Sequence, residues 1–125
     1  MYKFVNGIPI YLQIVKEIKG AMISGKLKGG DRLPSVREIA EQYQVNPNTV
    51  QRVFMELDKQ GLTYSERGIG TFVKDEPGLL EVLKNEEAAR VVGSFIVEMQ
   101  KLGYSKKDML SLLNSAWQKE GEQHD

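Results

Sequence analysis

Apolar residues recur every fourth position from Ile10 through Ile14 and Ile18 to Met22, with Tyr11, Val15 and Ala21 beside them. This spacing predicts an amphipathic helix over about 9–24, its stripe packed into a core. Pro9 suits the first helical position, where no N–H is needed, and Gly25 stops the helix. Two glycines and Pro34 make 26–34 a defined connection, and Pro34 biases Leu33 toward an extended backbone. Ser35 followed by Glu38 reads as a capping box opening a second, two-turn helix. Its apolar face is Val36, Ile39, Ala40 and Tyr43, at i, i+3, i+4 and i+7. Gln44 and Val45 form a short turn. A third helix then starts with Asn46 as cap and Pro47 in its first position, ending near Gln60 before Gly61.

After Gly61 the period changes to that of strands. Residues 62–65 read as one strand and 71–73 as its partner, joined by a turn at 66–70 in which Gly68 and Gly70 can take positive φ. Two strands alone are marginal, so the hairpin must pack on the helices. Pro77-Gly78 marks a boundary between 1–76 and a helical region, 77–125. There Leu79, Leu80 and Leu83 form one apolar cluster, while Ala88, Val91, Val92, Phe95, Ile96, Met99 and Leu102 form another. The two clusters point to nearly opposite sides of a straight helix. Either the chain breaks near Asn85, or one continuous helix is covered on both faces; the continuous helix is the preferred reading. Gly103 closes it, and Ser105 with Asp108 caps a last helix. That helix carries Met109, Leu112, Leu113 and Ala116 on one stripe, flanked by Leu110 and Trp117, and its polar end at 120–125 is expected to fray.

The fold class expected is thus mainly α with a small β-hairpin: a winged helix-turn-helix followed by two helices. The third helix is its decisive part. With Val50 at the centre of one face, Val53, Phe54 and Leu57 fall beside it and anchor the helix. Asn48, Gln51, Arg52, Met55 and Lys59 lie opposite. Asn and Gln can bond adenine bidentately, and Arg can pair with guanine or clamp a phosphate. Thr49 sits at the edge, within reach of a phosphate. The N-terminal half of the helix holds most of these groups, and that end reaches the bases in helix-turn-helix proteins. An exposed polar helix face is common on soluble proteins, so the capped helix before it and the Gly-rich hairpin after it carry much of the inference. Arg37, on the exposed side of the second helix, could serve DNA or merely pair with Glu41. Arg67, at the hairpin tip, could enter a minor groove or simply be solvated.

Composition narrows the alternatives. There are no cysteines, which excludes disulfides and thiolate metal sites, and the lone histidine is His124, beside the last residue. The commonest acid–base and nucleophilic sets are therefore missing, and neither an enzyme, a cofactor nor a bound metal is expected. No apolar run approaches the roughly 18 residues of a membrane span, and the first residues lack a signal-peptide pattern, so a cytoplasmic protein is expected. The formal net charge is 0, from 17 basic and 17 acidic residues. Bulk charge gives nucleic-acid binding no support; positive charge must be gathered on one face by folding.

The stretch 9–73 resembles the GntR family of bacterial transcription regulators. The resemblance is carried by Pro9-Ile10-Tyr11-Leu12-Gln13-Ile14, Gly25-Lys26-Leu27, and Gly30-Asp31-Arg32-Leu33-Pro34-Ser35-Val36-Arg37-Glu38-Ile39-Ala40. It continues through Val45-Asn46-Pro47-Asn48-Thr49-Val50, Gly61-Leu62, and Gly68-Ile69-Gly70-Thr71-Phe72-Val73. It implies that Ser35, Arg37, Asn46, Asn48, Thr49, Gln51, Arg52, Arg67 and Gly68 touch double-stranded operator DNA. Many members carry arginine where Gln51 stands, so their base preference does not transfer. Gln44 fills a turn position that is often glycine. The 49 residues after position 76 look like the short helical dimerisation tail of the YtrA-like subgroup, which often sits near transporter genes. No pyridoxal phosphate is expected.

Two helices of that length cannot bury their own apolar residues, so some of that surface must meet another chain or the winged domain. Leu79, Leu83, Val91, Val92, Phe95, Met99, Leu112, Leu113 and Trp117 are therefore expected at a homodimer interface, giving a repressor that binds a palindromic operator. A cleft between the tail and the winged domain, lined by Phe95, Met99 and Trp117, is a candidate small-molecule site, weighed against those residues forming the dimer core. A protein-docking module that keeps the winged fold is the competing non-enzyme reading.

Overall fold

The computed structural model describes residues 2–124, with side chains as far as Gly121. The chain divides into two compact units, one ending at Leu83 and one beginning at Lys84. The first holds α1 (Ile10–Ile23), α2 (Val36–Tyr43), α3 (Pro47–Lys59), β1 (Thr63–Glu66), β2 (Gly70–Val73) and the start of α4 (Leu79–Lys101). The second holds the rest of α4 and α5 (Lys106–His124). This is the mainly α, winged helix-turn-helix architecture with two tail helices that the sequence pattern implies.

The first unit is built on the apolar faces of its helices. Ile14, Val15, Ile18 and Met22 of α1 meet Ile39 and Ala40 of α2 and Val50, Val53, Phe54 and Leu57 of α3, with Leu33, Leu62, Val73 and Leu83 completing the core. Two details of α1 differ from the periodicity. Pro9 is the N-cap, with ψ 137°, rather than the first helical residue; its carbonyl accepts from the N–H groups of Leu12 and Gln13. Ile10, at the head of the stripe, stays exposed, whereas Gln13 is buried. The Gln13 amide reaches back to the preceding chain: Oε1 accepts from the Val5 N–H, and Nε2 donates to the carbonyls of Val5 and Ile8, all at 2.9 Å. A buried amide is tolerable when its donors and acceptor are matched in this way. The contact holds the segment before α1 in place, with Phe4 and Tyr2 edge-on to one another and Tyr2 edge-on to Tyr43 of α2.

The hairpin begins one residue later than its alternation suggests. Leu62 lies in the turn that closes α3, donating its N–H to the Leu57 carbonyl and filling the core, so β1 starts at Thr63. β1 and β2 pair antiparallel from Thr63–Val73 to Glu66–Gly70. Residues 30–33 lie along the other edge of β2. The Gly30 N–H donates to Val73 O, the Val73 N–H to Asp31 O and the Leu33 N–H to Thr71 O, each at 2.8 Å, with Arg32 opposite Phe72. What reads as a Gly- and Pro-marked connection is therefore a third, short extended segment that joins the wing to α2.

In the tail, α4 runs unbroken past Asn85, as the continuous-helix reading has it. Coverage of its two faces is unequal. Leu83 is buried in the winged core, while Val91, Val92 and Phe95 remain 52%, 55% and 36% exposed. Gly103 turns the chain at φ 87°. Ser105 and Asp108 then cap α5 reciprocally, each backbone N–H donating to the other's side chain at 3.2 Å. Met99 and Met109 are the buried residues of this unit among those described. α5 continues to His124, past the expected fray at Glu120; the His124 side chain and Asp125 lie outside the described residues.

Candidate nucleic-acid interface

Three pieces of the first unit form one continuous exposed surface: the start of α2, the outer face of α3, and the hairpin. Each is fixed by local chemistry. At the head of α2, Ser35 Oγ accepts from the Glu38 N–H and Glu38 Oε1 accepts from the Ser35 N–H, both at 3.1 Å, completing the capping box. The Ser35 backbone bond, then its hydroxyl, hold the Glu38 carboxyl below its ordinary value. Arg37 is exposed one residue earlier and forms no ion pair with Glu41 among the described residues. The tight turn between α2 and α3 needs a left-handed residue, and Gln44 supplies it at φ 57° and ψ 51°. Its side-chain amide donates to the Glu41 carbonyl at 2.7 Å, and the next N–H, of Val45, closes on Ala40.

Asn46 caps α3, its Oδ1 accepting from the Asn48 N–H at 2.8 Å, and Pro47 follows in the first helical position. The helix then separates its residues by chemistry. Val50, Val53 and Leu57 are 0% exposed, while Asn48, Gln51, Arg52, Met55 and Lys59 all face solvent. Met55, 70% exposed, is a large apolar group at the centre of that polar face. Thr49 is half-buried at its edge. The Arg52 guanidinium sits 4.1 Å from the centre of the Tyr11 ring, so α1 holds this cation at the border of the face. At the far side, Arg67 and Gly68 form the exposed hairpin tip, with Gly68 at φ 79° and the turn closed by the Ile69 N–H on Glu66 O at 2.9 Å.

A groove of about 430 Å³ runs between α3 and the hairpin, with Ser35, Gln51, Met55 and Arg67 among its lining. The structure thus brings Ser35, Gln51, Arg67 and Gly68 to one groove, Asn46, Asn48 and Thr49 to the leading end of α3, and Arg37 and Arg52 to its flanks. Two residues of this surface escaped the sequence reading. Arg32 also lines the groove. Asp58 ties the end of α3 to the wing: its carboxylate accepts from the hydroxyls of Thr63 and Ser65, and Ser65 shares a hydrogen with Thr71 at 2.9 Å. The residues are hydrophilic and sit on irregular or cross-element positions, where periodicity carries no signal.

The tail residues separate differently from their expected grouping. Leu79 and Leu83 serve the winged core, and Met99 is buried within the tail. Val91, Val92, Phe95 and Leu113 line an open apolar cleft of about 620 Å³ between α4 and α5, while Leu112 and Trp117 are exposed on α5 outside it. Of the three residues expected to line an effector cleft, only Phe95 lines this one. Among the described residues there is no cluster of three potential metal ligands, and no helix long and apolar enough to cross a membrane.

Comparison with known proteins shows the family to which this fold belongs. The pattern described as bacterial regulatory proteins, gntR family, matches residues 10–73. The chain is 40% identical over 108 residues to the uncharacterized HTH-type transcriptional regulator YhcF of Bacillus subtilis, covering 86% of this chain and 89% of that one. It is 33% identical to the HTH-type transcriptional repressor YtrA of the same organism, over 78% and 81% of the two chains. Among solved structures, a GntR family transcriptional regulator from Listeria monocytogenes superposes with a TM-score of 0.83 at 37% identity, over 90% of this chain and 98% of that one. The DNA-binding domain of AraR, solved in complex with operator ORX1, matches 58% of this chain and 92% of its own, with a TM-score of 0.54 and 30% identity.

Proposed function

Because the chain belongs to the GntR family of bacterial regulatory proteins, a family of DNA-binding transcription regulators, we propose that it is a repressor that acts as a homodimer on a palindromic operator. The observation that carries this reading is the division of α3. One side is sealed into the core, and the other presents Asn48, Gln51 and Arg52 to solvent beside a wing tipped by Arg67. In this reading the leading half of α3 enters a major groove, Asn48 and Gln51 read base edges, and Arg37, Arg52 and Thr49 fix the register on phosphates. Ser35 and Asn46 bring the first N–H groups of α2 and α3 toward the backbone, where the helix dipoles favour phosphate. Arg67 and Gly68 carry the wing tip to the adjacent minor groove.

The division of labour proposed is 1–76 for DNA and 77–125 for association. The exposed apolar side chains of the tail support a second copy as their cover: Val91, Val92, Phe95, Leu113 and Trp117 are too many to leave in water on a regulator of this size. A two-fold pair would set two α3 helices roughly 34 Å apart, one turn of DNA. The likeness of the short tail to the YtrA-like subgroup, whose members often sit near transporter genes, supports transport genes as the proposed regulated class.

The test is selection of duplexes from a random-sequence pool by the purified protein, followed by titration. An inverted repeat with half-sites about one helical turn apart is expected. Gln51→Ala should relax one position in each half-site and cost about 1–3 kcal/mol there. A uniform loss across all sequences would remove Gln51 from base reading, and failure to enrich any sequence would overturn the operator assignment.

A further inference from the structure

Arg32 is a cation that forms no ion pair among the described residues, although the Glu38 carboxylate lies close enough to interact with it electrostatically. Its backbone is fixed in the segment that pairs with β2, opposite Phe72. In an extended segment successive side chains face opposite ways. Leu33 therefore turns into the core, at 2% exposure, and Arg32 turns out. Its guanidinium lies across Gly70: a Cβ added there would stand 2.7 Å from Nε and 3.2 Å from both Cζ and Nη2. The group occupies the space that any other residue at position 70 would need.

The neighbouring carboxylates each accept a backbone N–H and form no ion pair with the Arg32 guanidinium among the described residues. Asp31 Oδ2 accepts from the Lys28 N–H at 2.8 Å. Glu38, the acidic group that senses Arg32, gives Oε1 to the Ser35 N–H. Arg32 itself forms no ion pair among the described residues. It lines the same groove as Ser35, Gln51 and Arg67. A planar fork of N–H donors, lying over Gly70 and hydrogen-bonded to no oxygen among the described residues, is suited to a phosphate.

We propose that Arg32 is a backbone-binding residue of the DNA interface, gripping a phosphate between the α3 and wing contacts, and that Gly70 keeps its guanidinium there. This rests on the operator-binding reading above and adds to it a contact that carries no base information. It predicts a particular pattern of loss. A phosphate contact releases counterions, so its removal lowers the steepness of the log affinity against log salt plot by about one and affects all sequences alike.

The experiment uses a duplex selected by the wild-type protein from a random-sequence pool, titrated by fluorescence anisotropy over a salt series. Arg32→Ala should reduce the slope by about one without relaxing any base position. Arg32→Lys, which keeps the charge and loses the fork, should retain the slope and bind more weakly. Gly70→Ala, which keeps the charge and displaces the fork, should resemble Arg32→Lys, with weaker binding at a retained slope, and should cost little further affinity in an Arg32→Ala background. Gly70 also has φ 148°, so its alanine variant is strained; a melting curve reads that strain separately, and a loss due to strain alone is the same in both backgrounds. Wild-type binding with an unaltered slope in Arg32→Ala would overturn this inference and leave the operator reading standing, as would relaxation of a single base position. Failure of the wild-type protein to bind any duplex would overturn both.

Discussion

Replacing Asp58 by alanine should loosen the wing from the recognition helix. Asp58 lies one residue before the end of α3, where the helix dipole disfavours an anion, so its place there calls for compensating donors. It has two: the hydroxyls of Thr63 and, at 3.0 Å, Ser65. Thr63 is only 4% exposed, and Thr71, at the end of the same chain of hydroxyls, only 7%. In Asp58→Ala the Thr63 hydroxyl stays buried and loses its acceptor, at a cost of about 1–3 kcal/mol. Relief of the unfavourable dipole returns roughly 0.3–1 kcal/mol. The net destabilisation is then about 1–2 kcal/mol, which corresponds to a fall in Tm on the order of 5–15 °C for a domain of this size. Asp58→Asn keeps an acceptor and sheds the charge, so it should cost less than about 1 kcal/mol. Thr63→Val removes the buried donor with its acceptor free to hydrate, and should cost less than Asp58→Ala. Thermal denaturation of the three variants gives the order. A Thr63→Val loss equal to or greater than that of Asp58→Ala would refute the reasoning. So would an Asp58→Ala effect inside the roughly 0.5 kcal/mol range of ordinary surface changes. A binding measurement adds a second check. If Asp58 sets the wing against α3, the losses from Asp58→Ala and Arg67→Ala on duplex DNA should be non-additive.

Three other outcomes follow from local geometry. Glu38 has its carboxyl lowered from 4.5 by Ser35, so its contribution to stability is complete above that value and fades as pH falls through the depressed folded one; the Tm difference between the protein and Glu38→Gln should be flat near neutrality and shrink on acidification. Gln44 is the only non-glycine residue with positive φ among those described, and Gln44→Gly should raise stability by about 1 kcal/mol, less the bond from its amide to Glu41, as read by denaturant titration. Phe95→Glu, placed in the apolar cleft of the tail, should shift the protein to monomer in sedimentation and remove cooperative binding to an inverted repeat, leaving the melting of the winged unit unchanged.

Much of this architecture could be read from residue spacing, for a physical reason: each legible feature is local. The Ser35–Glu38 cap, the Asn46-Pro47 start, the Gly61 stop and the two faces of α3 each depend on residues within one or two turns. The continuity of α4 through Asn85 was legible because a helix needs no partner to set its direction. The features that escaped depend on what comes near in space. Gln13 looks like a surface residue on a helical wheel, and is buried only because the chain before α1 folds back to offer it three backbone partners. The apolarity of Leu83 fits an interface between copies or the winged domain equally well, and only three-dimensional packing shows that the first turns of α4 spend it on the winged core. Residues 30–33 carry too few side chains to show a strand period, so their pairing with β2, and with it the position of Arg32, had no signature.

A neutral chain that binds DNA needs an explanation in terms of which charges are free. Around the interface the carboxylates are largely occupied by protein donors: Glu38 by Ser35, Asp58 by Thr63 and Ser65, Asp31 by the Lys28 N–H. The arginines are not so occupied. Arg32, Arg37 and Arg67 form no ion pairs among the described residues, Arg52 rests on an aromatic ring, and the Glu87–Arg90 ion pair lies in the other unit. A hydrogen-bonded carboxylate still repels a phosphate at long range, so the molecule as a whole exerts little pull on DNA. On the reading proposed above, attraction would arise only at short range, where the uncommitted guanidinium groups would meet backbone oxygens in the right register. Net charge governs the affinity for any sequence, and placement governs the affinity for one. On the same reading, Glu41 and Glu66, exposed beside Arg37 and Arg67, would sharpen that difference further, because a misregistered duplex would meet them without the compensating contacts. Neutrality therefore favours a protein that ignores most of the DNA it encounters and holds the sequence that fits.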